Sequence, residues 1–315
     1  MSAPVKVVVA LGGNALEDKS LPPTAQSQLQ VAHRTAEYLA QLSCAGYELA
    51  VVHGNGPQVG RILLASETAS EVTPAMPFDV CGAMSQGYIG YHLQQALSDA
   101  LRKRDRHLPV VTVVTQMEVD ENDPAFQNPT KPIGPFYSEE QAKALAQEKG
   151  YTVKEDSGRG WRRVVPSPRP RRIVEIGTIK TLWDTTVTIA CGGGGIPVVR
   201  KEDGSLEGVA AVIDKDLAAC RLAQEMEADI LMILTEVPAV AINFGKSDQT
   251  DLGKVSADTL EQYAAEGQFG VGSMLPKVQA AVDFVRSAPG RTAIITSLDL
   301  GLDALAGRCG THIHQ

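Results

Sequence analysis

The sequence predicts an α/β protein: a three-layer αβα sandwich with a mainly parallel central sheet and a small inserted, protruding subdomain. Apolar runs of strand length alternate with segments of helical length along the chain. That order is typical of a parallel sheet covered by helices on both faces. Glycine-rich turns directly follow three of the runs, and one segment rich in Pro, Gly and Arg, residues 118–172, interrupts the alternation.

Strands are predicted from continuous apolar runs, because a strand buried on both faces carries apolar residues at successive positions. These runs are residues 5–11, 49–53, 110–115, 186–191, 230–234, 240–244 and 293–296. Helices are predicted at residues 24–45, from position 57 onward, and at 83–104, 214–226, 257–265 and 276–287. Together these elements predict one domain over residues 1–315.

Residues 118–172, called the arm below, are predicted to form the inserted subdomain. A structureless loop of that length would be unusual within a compact domain. The last part of the arm, residues 158–172, contains six arginines and no acidic residue. Such a run suits either a nucleic-acid surface or a basic surface that serves an anionic ligand or pairs with acidic neighbours. The net charge of −8 argues against a general nucleic-acid binder.

Composition indicates a globular protein, since apolar residues make up 43% of the chain and charged residues 21%. The cysteine count is odd and includes no CxxC pair, which predicts reduced thiols in the cytosol. The five cysteines are Cys44, Cys81, Cys191, Cys220 and Cys309. The apolar run at residues 5–11 is too short for a signal peptide, and no run approaches the roughly 20 residues of a membrane helix. We therefore expect a cytoplasmic protein without a membrane partner.

Three glycine-rich turns directly follow predicted strands. The first contains Gly12, Gly13 and Asn14, the second Gly54, Asn55 and Gly56, and the third Gly192, Gly193 and Gly194. Glycine lets backbone N–H groups converge on one anion, and a helix N-terminus just beyond adds further donors. The carboxyl ends of parallel strands share one edge of a sheet. Any single turn could be only a tight connection, but three at strand ends predict an anion-binding site.

Lysines accompany these turns. Lys131, Lys215 and Lys277 stand near glycine or proline residues that restrain the backbone, and the last two open predicted helices. A lone surface lysine is usually only solvated, and Asp214 beside Lys215 could be simply a helix cap. P-loop, dinucleotide and HExxH signatures and any Cys/His metal spacing are missing from the sequence. The pattern therefore favours an anion site built from glycine turns and lysines, with no metal bound by the protein itself.

Eleven stretches of the sequence together carry a family resemblance. They are ALGGNA (10–15), HGNGPQVG (53–60), PAMP (74–77), MSQGYIGY (84–91), NPTKPIGPF (128–136), GRGWRRVVPSPRP (158–170), CGGGGIPV (191–198), AVIDKD (211–216), MILT (232–235), INFGK (242–246) and GSMLPK (272–277). Over essentially its whole length the chain resembles the carbamate kinases of the amino-acid-kinase superfamily. Departures are mild: Ser157 replaces an expected alanine, and Phe244 stands where some members have tyrosine.

The resemblance implies reversible phosphoryl transfer between carbamoyl phosphate and ADP, which gives ATP and carbamate; carbamate then decays to ammonia and carbon dioxide. It implies catalytic roles for Lys215, Lys277 and Lys131, with Asp216 orienting lysines. Carbamoyl phosphate is expected at Gly12, Gly13, Asn14, Gly54, Asn55 and Gly56. ADP is expected at Gly192, Gly193, Gly194, Thr235, Met274 and Lys277. Mg²⁺ is expected with ADP or ATP, held mainly by phosphates and water, and the family is expected to form homodimers.

Two alternatives stay open. One is another amino-acid-type kinase that acts on a larger carboxylate. Those relatives usually carry a lysine at the position of Ala10 and lack an arm of this kind. The other is a non-catalytic sensor of carbamoyl phosphate or nucleotide. For the arm we predict a gate over carbamoyl phosphate with Lys131 at its tip; a dimer surface is the alternative. The same reaction serves arginine fermentation and purine or allantoin breakdown.

Overall fold

Strands and helices alternate along the chain, much as the sequence predicts. The computed structural model describes residues 3–156 and 158–315, so Ser157 lies outside the described residues. The elements are β1 (Lys6–Leu11), α1 (Ala25–Cys44), β2 (Glu48–His53), α2 (Gly56–Thr68), α3 (Phe78–Arg102), β3 (Val110–Thr112), β4 (Gln116–Glu118), β5 (Lys131–Tyr137), α4 (Glu139–Lys149), β6 (Val153–Glu155), β7 (Trp161–Val165), β8 (Arg172–Ile173), α5 (Ile176–Leu182), β9 (Val187–Ile189), β10 (Ile196–Arg200), β11 (Leu206–Gly208), α6 (Lys215–Glu225), β12 (Ile230–Thr235), β13 (Ala241–Ile242), β14 (Thr250–Asp251), β15 (Lys254–Ser256), α7 (Ala257–Ala265), α8 (Leu275–Arg286), β16 (Thr292–Ser297), α9 (Gly301–Leu305) and β17 (Thr311–His314).

The central sheet has eight strands in the order β15-β17-β16-β12-β1-β2-β9-β3. Neighbouring strands run parallel except β16 and β17, which are antiparallel. Alternate residues of β1 enter different cores, because successive side chains of a strand point to opposite faces. Val8 and Ala10 pack with α6 and α8, whereas Val7 and Val9 pack with α1 and α3. The mainly parallel α/β sandwich is therefore confirmed.

Several element bounds differ from those predicted. The apolar run at 240–244 is extended only over Ala241–Ile242, which pairs with β14 outside the central sheet. Asn243 follows with φ of 52°, a left-handed conformation that ends the strand. The run at 110–115 leaves the central sheet after Thr112, and β4 then joins a second sheet with β8, β10 and β11. Helix α3 begins at Phe78, five residues earlier than predicted, directly after Pro77.

The described residues of the arm contribute no strand to the central sheet. β5, β6 and β7 form their own antiparallel sheet, which contacts α2. Ile133 of β5 is buried in a small core with Val59, Leu63, Phe78, Cys81 and Val165. A Cβ on Gly60 of α2 would lie 3.0 Å from the Gly134 backbone, so the two chains approach closely. Glu67 of α2 adds an ion pair to Lys149 at 3.1 Å.

The arginine-rich run of the arm is largely paired with acidic side chains. Arg159 and Arg162 both contact Asp156, and Arg163 contacts Glu67. The remaining pairs are Arg169 with Asp283 and Arg171 with Asp120. Of the two interpretations of this run, the structure favours pairing with acidic neighbours. Within the described ranges, no helix is long and apolar enough to cross a membrane.

Candidate active site

A cavity of about 230 Å³ lies at the carboxyl ends of the central strands, under the arm. It brings together many of the residues that the sequence predicts for the site. Those lining it are Gly13, Gly54, Asn55, Gly56, Lys131, Gly193, Lys215, Asp216 and Lys277. The three predicted lysines therefore meet parts of all three glycine turns in one small space.

Backbone donors are available in this cavity. The N–H groups of Gly13, Gly54 and Asn55 donate no backbone hydrogen bond within the described part of the chain. Helix α2 begins at Gly56, with proline in its first turn. The first N–H groups of a helix have no partner inside the helix, and its dipole favours a negative charge nearby. The cavity is therefore suited to an anion such as a phosphate group.

Two lysines share one buried carboxylate. Lys215 Nζ lies 2.5 Å from Asp216 Oδ1, and Lys277 Nζ lies 2.9 Å from Asp216 Oδ2. The Asp216 residue is only 2% exposed. Because Lys215 opens α6 and Lys277 lies in the first turn of α8, this carboxylate holds the amino-terminal ends of two helices at the cavity. The Asp216 carboxylate thus contacts both ammonium groups at once.

Lys131 reaches the cavity from the arm. Its Nζ lies 2.9 Å from Asp214 Oδ2, and Asp214 Oδ1 accepts a hydrogen bond from the Asp216 N–H at 2.9 Å. Asp214 therefore caps α6 and also fixes the arm lysine. With Lys215 and Lys277, three lysines face the two aspartates, which leaves one positive charge for a bound anion.

Burial and neighbouring charges shift the pKa values of two of these groups. Burial lowers the pKa of Lys215 below its ordinary value of 10.5, and the negative charge of Asp216 offsets only part of that effect. The pKa of Asp214 lies below its ordinary value. Burial alone would raise it, but the positive charge of Lys131 and its hydrogen bond to Asp214 outweigh that effect. A Cβ on Gly54 would lie 3.4 Å from Lys215 Cδ, so this lysine lies along the second glycine turn.

Some predicted residues lie elsewhere. Gly12 donates to Leu234 O at 3.0 Å and packs β1 against β12. Gly192 and Gly194 are buried below the cavity, and a Cβ on Gly194 would lie 2.2 Å from Ile213 O. Met274 precedes α8 and packs against the core. The structure therefore places Gly192 and Gly194 in close packing, whereas Gly193 alone of that turn lines the cavity.

Asn14 and Thr235 line a neighbouring groove of about 810 Å³. Although this groove is larger, its acidic side chains outnumber its basic ones. The acidic residues are Glu17, Asp18, Glu37, Glu236 and Asp299, against Lys19 and Arg34. Arginines pair with three of these carboxylates, Glu17, Asp18 and Glu37, but the groove has no counterpart to the three lysines of the smaller cavity. We therefore assign the chemistry to the smaller cavity with the lysines.

Sequence reasoning missed the polar residues that support the glycine turns. Asn55 Nδ2 donates to Ser85 Oγ at 2.9 Å, and Gln86 Nε2 donates to Gly192 O at 2.9 Å. Both partners lie on α3 and are buried. Their only signal is the MSQGYIGY stretch at residues 84–91, which carries the family resemblance without indicating a role.

Comparison with known proteins identifies the family. Residues 5–297 match the model of the amino acid kinase family. A carbamate kinase of Pyrococcus horikoshii is 52% identical over 98% of this chain and 99% of its own length, and one of Clostridium perfringens is 53% identical with the same coverage. The solved structure of carbamate kinase from Giardia lamblia bound to AMP-PNP has a TM-score of 0.93 at 46% identity, covering 100% of this chain and 99% of that one. The chain belongs to the amino acid kinase family and, within it, to the carbamate kinases.

Proposed function

We propose that the protein catalyses reversible phosphoryl transfer between carbamoyl phosphate and ADP, giving ATP and carbamate. The observation that carries this proposal is the cavity in which Lys131, Lys215 and Lys277 face the glycine turns. Both substrates are anions, so the main obstacle is to bring negative charges together in line. Phosphoryl transfer depends mostly on positioning and electrostatic stabilisation, which this arrangement of charges and backbone donors supplies.

Each group then has a distinct role. The N–H groups of Gly13, Gly54 and Asn55 hold the phosphate of carbamoyl phosphate, and Lys131 covers it from the arm. Lys215 and Lys277 neutralise charge on the transferring phosphoryl group and on the nucleotide phosphates. In the direction that consumes ATP, the nucleophile is a carbamate oxygen that is already negative. No general base is needed. This agrees with the structure, in which the carboxylates of Asp214 and Asp216 form ion pairs with lysines.

ADP is proposed to approach from the side of Gly193 and Lys277, which both line the cavity. Thr235 at the end of β12 and Met274 before α8 would border the nucleotide farther out. Gly192 and Gly194 would act through packing below the cavity, without touching ADP. The AMP-PNP bound to the Giardia protein supports a nucleotide site in a protein of this fold.

Mg²⁺ is proposed to arrive with the nucleotide. Among the described residues, no group of three or more His, Cys, Asp or Glu side chains is placed to hold a metal ion. The carboxylates of Asp214 and Asp216 are already paired with lysines. The site therefore fits an ion held mainly by phosphate oxygens and water, as Mg²⁺ hydration favours. When bound, Mg²⁺ would supply further neutralisation of phosphate charge.

The two alternatives make different predictions in one substrate comparison. The small cavity, closed by Pro132 and Ile133 of the arm, favours carbamate over a larger carboxylate. ATP consumption should be supported by carbamate and not by aspartate or N-acetylglutamate. ATP formation should require carbamoyl phosphate together with ADP and Mg²⁺. A sensor would bind these ligands and form no ATP. ATP consumption that is supported by a larger carboxylate and not by carbamate would overturn the proposal.

We further propose a cytoplasmic homodimer. All five cysteines are free thiols, which suits a reducing compartment. Val80, Met84 and Tyr91 are exposed apolar residues of α3 at helical spacings of four and seven residues, which place them along one face. A second copy of this chain would cover that stripe. Light scattering should show a dimer for the wild type and a monomer for a Met84→Glu, Tyr91→Glu variant; a variant that stays dimeric would exclude this surface.

A further inference from the structure

We infer that His53 is a positioning residue that sets the spacing between the second and third glycine turns of the active site. This inference builds on the proposed function, since its consequence is catalytic. His53 is the last residue of β2, immediately before Gly54, and is 0% exposed. It does not line the cavity, so any effect on the reaction must pass through its neighbours.

One edge of the imidazole holds the second turn. His53 Nδ1 lies 2.7 Å from the carbonyl oxygen of Gly54. A carbonyl oxygen only accepts hydrogen bonds, so Nδ1 must carry the proton. The bond therefore fixes both the tautomer of the ring and the direction of the Gly54 carbonyl. The same peptide group contains the Asn55 N–H, which is one of the free donors at the cavity.

The opposite edge of the imidazole meets the third turn. A Cβ added to Gly192 would lie 2.5 Å from His53 Nε2 and 2.6 Å from Cε1. Nε2 is buried and has no hydrogen-bond partner among the described residues. The ring thus fills the space between the two turns, and only glycine fits at position 192 while the ring is there.

Helix α3 holds the same two turns by separate bonds. Ser85 Oγ accepts a hydrogen bond from Asn55 Nδ2 at 2.9 Å. The adjacent residue Gln86 donates one from its Nε2 to Gly192 O, also at 2.9 Å. The third turn also packs directly against the second, because the Asn55 side chain occupies the space where a Cβ of Gly193 would lie. With His53 between them, the two turns form one rigid unit that presents Gly54, Asn55 and Gly193 to the cavity.

The imidazole must be neutral to do this. Burial lowers the pKa of His53 to about 4, although the bond to Gly54 acts in the opposite direction. Protonation of Nε2 would bury a charge and an N–H without an acceptor, which is strongly unfavourable. The ring therefore remains a neutral spacer with the proton on Nδ1 across the physiological pH range.

Three substitutions separate the parts of this role. In His53→Asn the side-chain N–H occupies roughly the place of Nδ1, whereas in His53→Gln it reaches toward the place of Nε2, and His53→Leu has no donor. We expect His53→Leu and His53→Gln to lose roughly 10²-fold in kcat/KM for carbamoyl phosphate, as expected for misplacement by about 1 Å. We expect His53→Asn to recover the part of that loss that comes from the bond to Gly54 O, because its shorter side chain leaves the space beside Gly192 unfilled. The KM for ADP should also rise in His53→Leu and His53→Gln, since Gly193 lines the side of the cavity proposed for ADP.

The matched control is His92→Leu. His92 is a second buried histidine, 8% exposed, with Tyr88 and Tyr91 as ring neighbours and no bond to either turn. The His92→Leu variant should keep the wild-type kcat/KM for carbamoyl phosphate. Thermal unfolding of every variant is measured, so that lost activity is compared at equal folded fraction. Wild-type kcat/KM in His53→Leu, or a His53→Asn variant no better than His53→Gln, would overturn the inference.

A second measurement does not depend on turnover. In ¹⁵N-labelled wild-type protein, His53 should show a protonated Nδ1, an unprotonated Nε2 and no titration between pH 5.5 and 8.5. Binding of inorganic phosphate should weaken in His53→Gln and not in His53→Asn. A proton on Nε2, or equal phosphate binding by both variants, would refute the role. If the wild type forms no ATP, the proposed function fails, while these two readouts still decide the role of His53.

Discussion

Replacement of Lys131 by alanine tests the proposed gate. Lys131 stands on the arm, whereas Lys215 and Lys277 stand on helices of the central domain. Carbamoyl phosphate is small and labile in water. An arm that closes over it would exclude water and strengthen the electrostatic interactions. Pro132 next to Lys131 would keep the tip of the gate rigid, and opening would separate Ile133 from its partners on α2.

The structure sets the expected magnitudes. The Lys131 side chain is 35% exposed and that of Asp214 only 14%, so loss of their ion pair should cost roughly 1–3 kcal/mol of stability, between the values for exposed and buried pairs. A hydrogen bond to a charged group contributes roughly 1.5–3 kcal/mol. Since about 1.4 kcal/mol is tenfold, kcat/KM for carbamoyl phosphate should fall about 10- to 100-fold. Repulsion by the unpaired Asp214 would add to this loss. ADP affinity should be nearly unchanged.

The assay combines steady-state kinetics for carbamoyl phosphate with titration of ADP. Lys154→Ala is the matched control, because Lys154 is an arm lysine that contacts Asn128 at 3.2 Å and does not line the cavity. It should retain wild-type values for both ligands. Equal losses for the two ligands in Lys131→Ala, or no loss for either, would refute the gate.

Three further predictions concern the two half-buried lysines and the Asp216 carboxylate that they share. Lys215→Ala and Lys277→Ala should each lower kcat by roughly 10²–10³ yet remain folded by circular dichroism, because Asp216 keeps one lysine partner; wild-type turnover in either would eliminate its role. Asp216→Ala leaves two half-buried lysines without their carboxylate, so urea unfolding should show a loss of about 3–5 kcal/mol; a loss below about 1 kcal/mol would contradict the shared ion pair. Burial lowers the pKa of Lys215 in the ligand-free protein, so kcat/KM should decline with rising pH below pH 10.5. Over that window the folded state binds fewer protons than the unfolded state, so the contribution of Lys215 to stability should rise; a pH-independent kcat/KM up to 10.5 would contradict the lowered pKa.

The sheet and the anion cradle could be predicted because their signals are local. Continuous apolar runs mark the buried strands, and parallel strands necessarily bring the turns after them to one edge. Local sequence therefore suffices to bring Gly13, Gly54 and Gly193 to one edge of the sheet, whereas the role of Lys215 is implied by the family resemblance. The resemblance implies that Asp216 orients lysines, but the local pattern alone does not show it, since the shared contact depends on how α6 and α8 pack.

The misplaced details have physical causes. The run at 240–244 is apolar like a central strand, but the left-handed Asn243 turns the chain away from the sheet. Glycines 192–194 resemble an anion cradle in sequence, yet glycine also permits close packing, and Gly192 packs against the His53 ring. Sequence pattern alone does not separate these two uses of glycine. The partners of His53 and Gln86 are likewise set by tertiary contacts.

The most direct test of the central claim follows the phosphoryl group itself. Wild-type protein, ADP, Mg²⁺ and carbamoyl phosphate labelled with ³²P are mixed, quenched and separated. The account predicts that label appears in the terminal phosphate of ATP, one ATP for each carbamoyl phosphate consumed by the enzyme, and that Lys277→Ala slows this transfer roughly 10²–10³-fold. Bound ligands with no labelled ATP, or transfer at the wild-type rate in Lys277→Ala, would contradict the account.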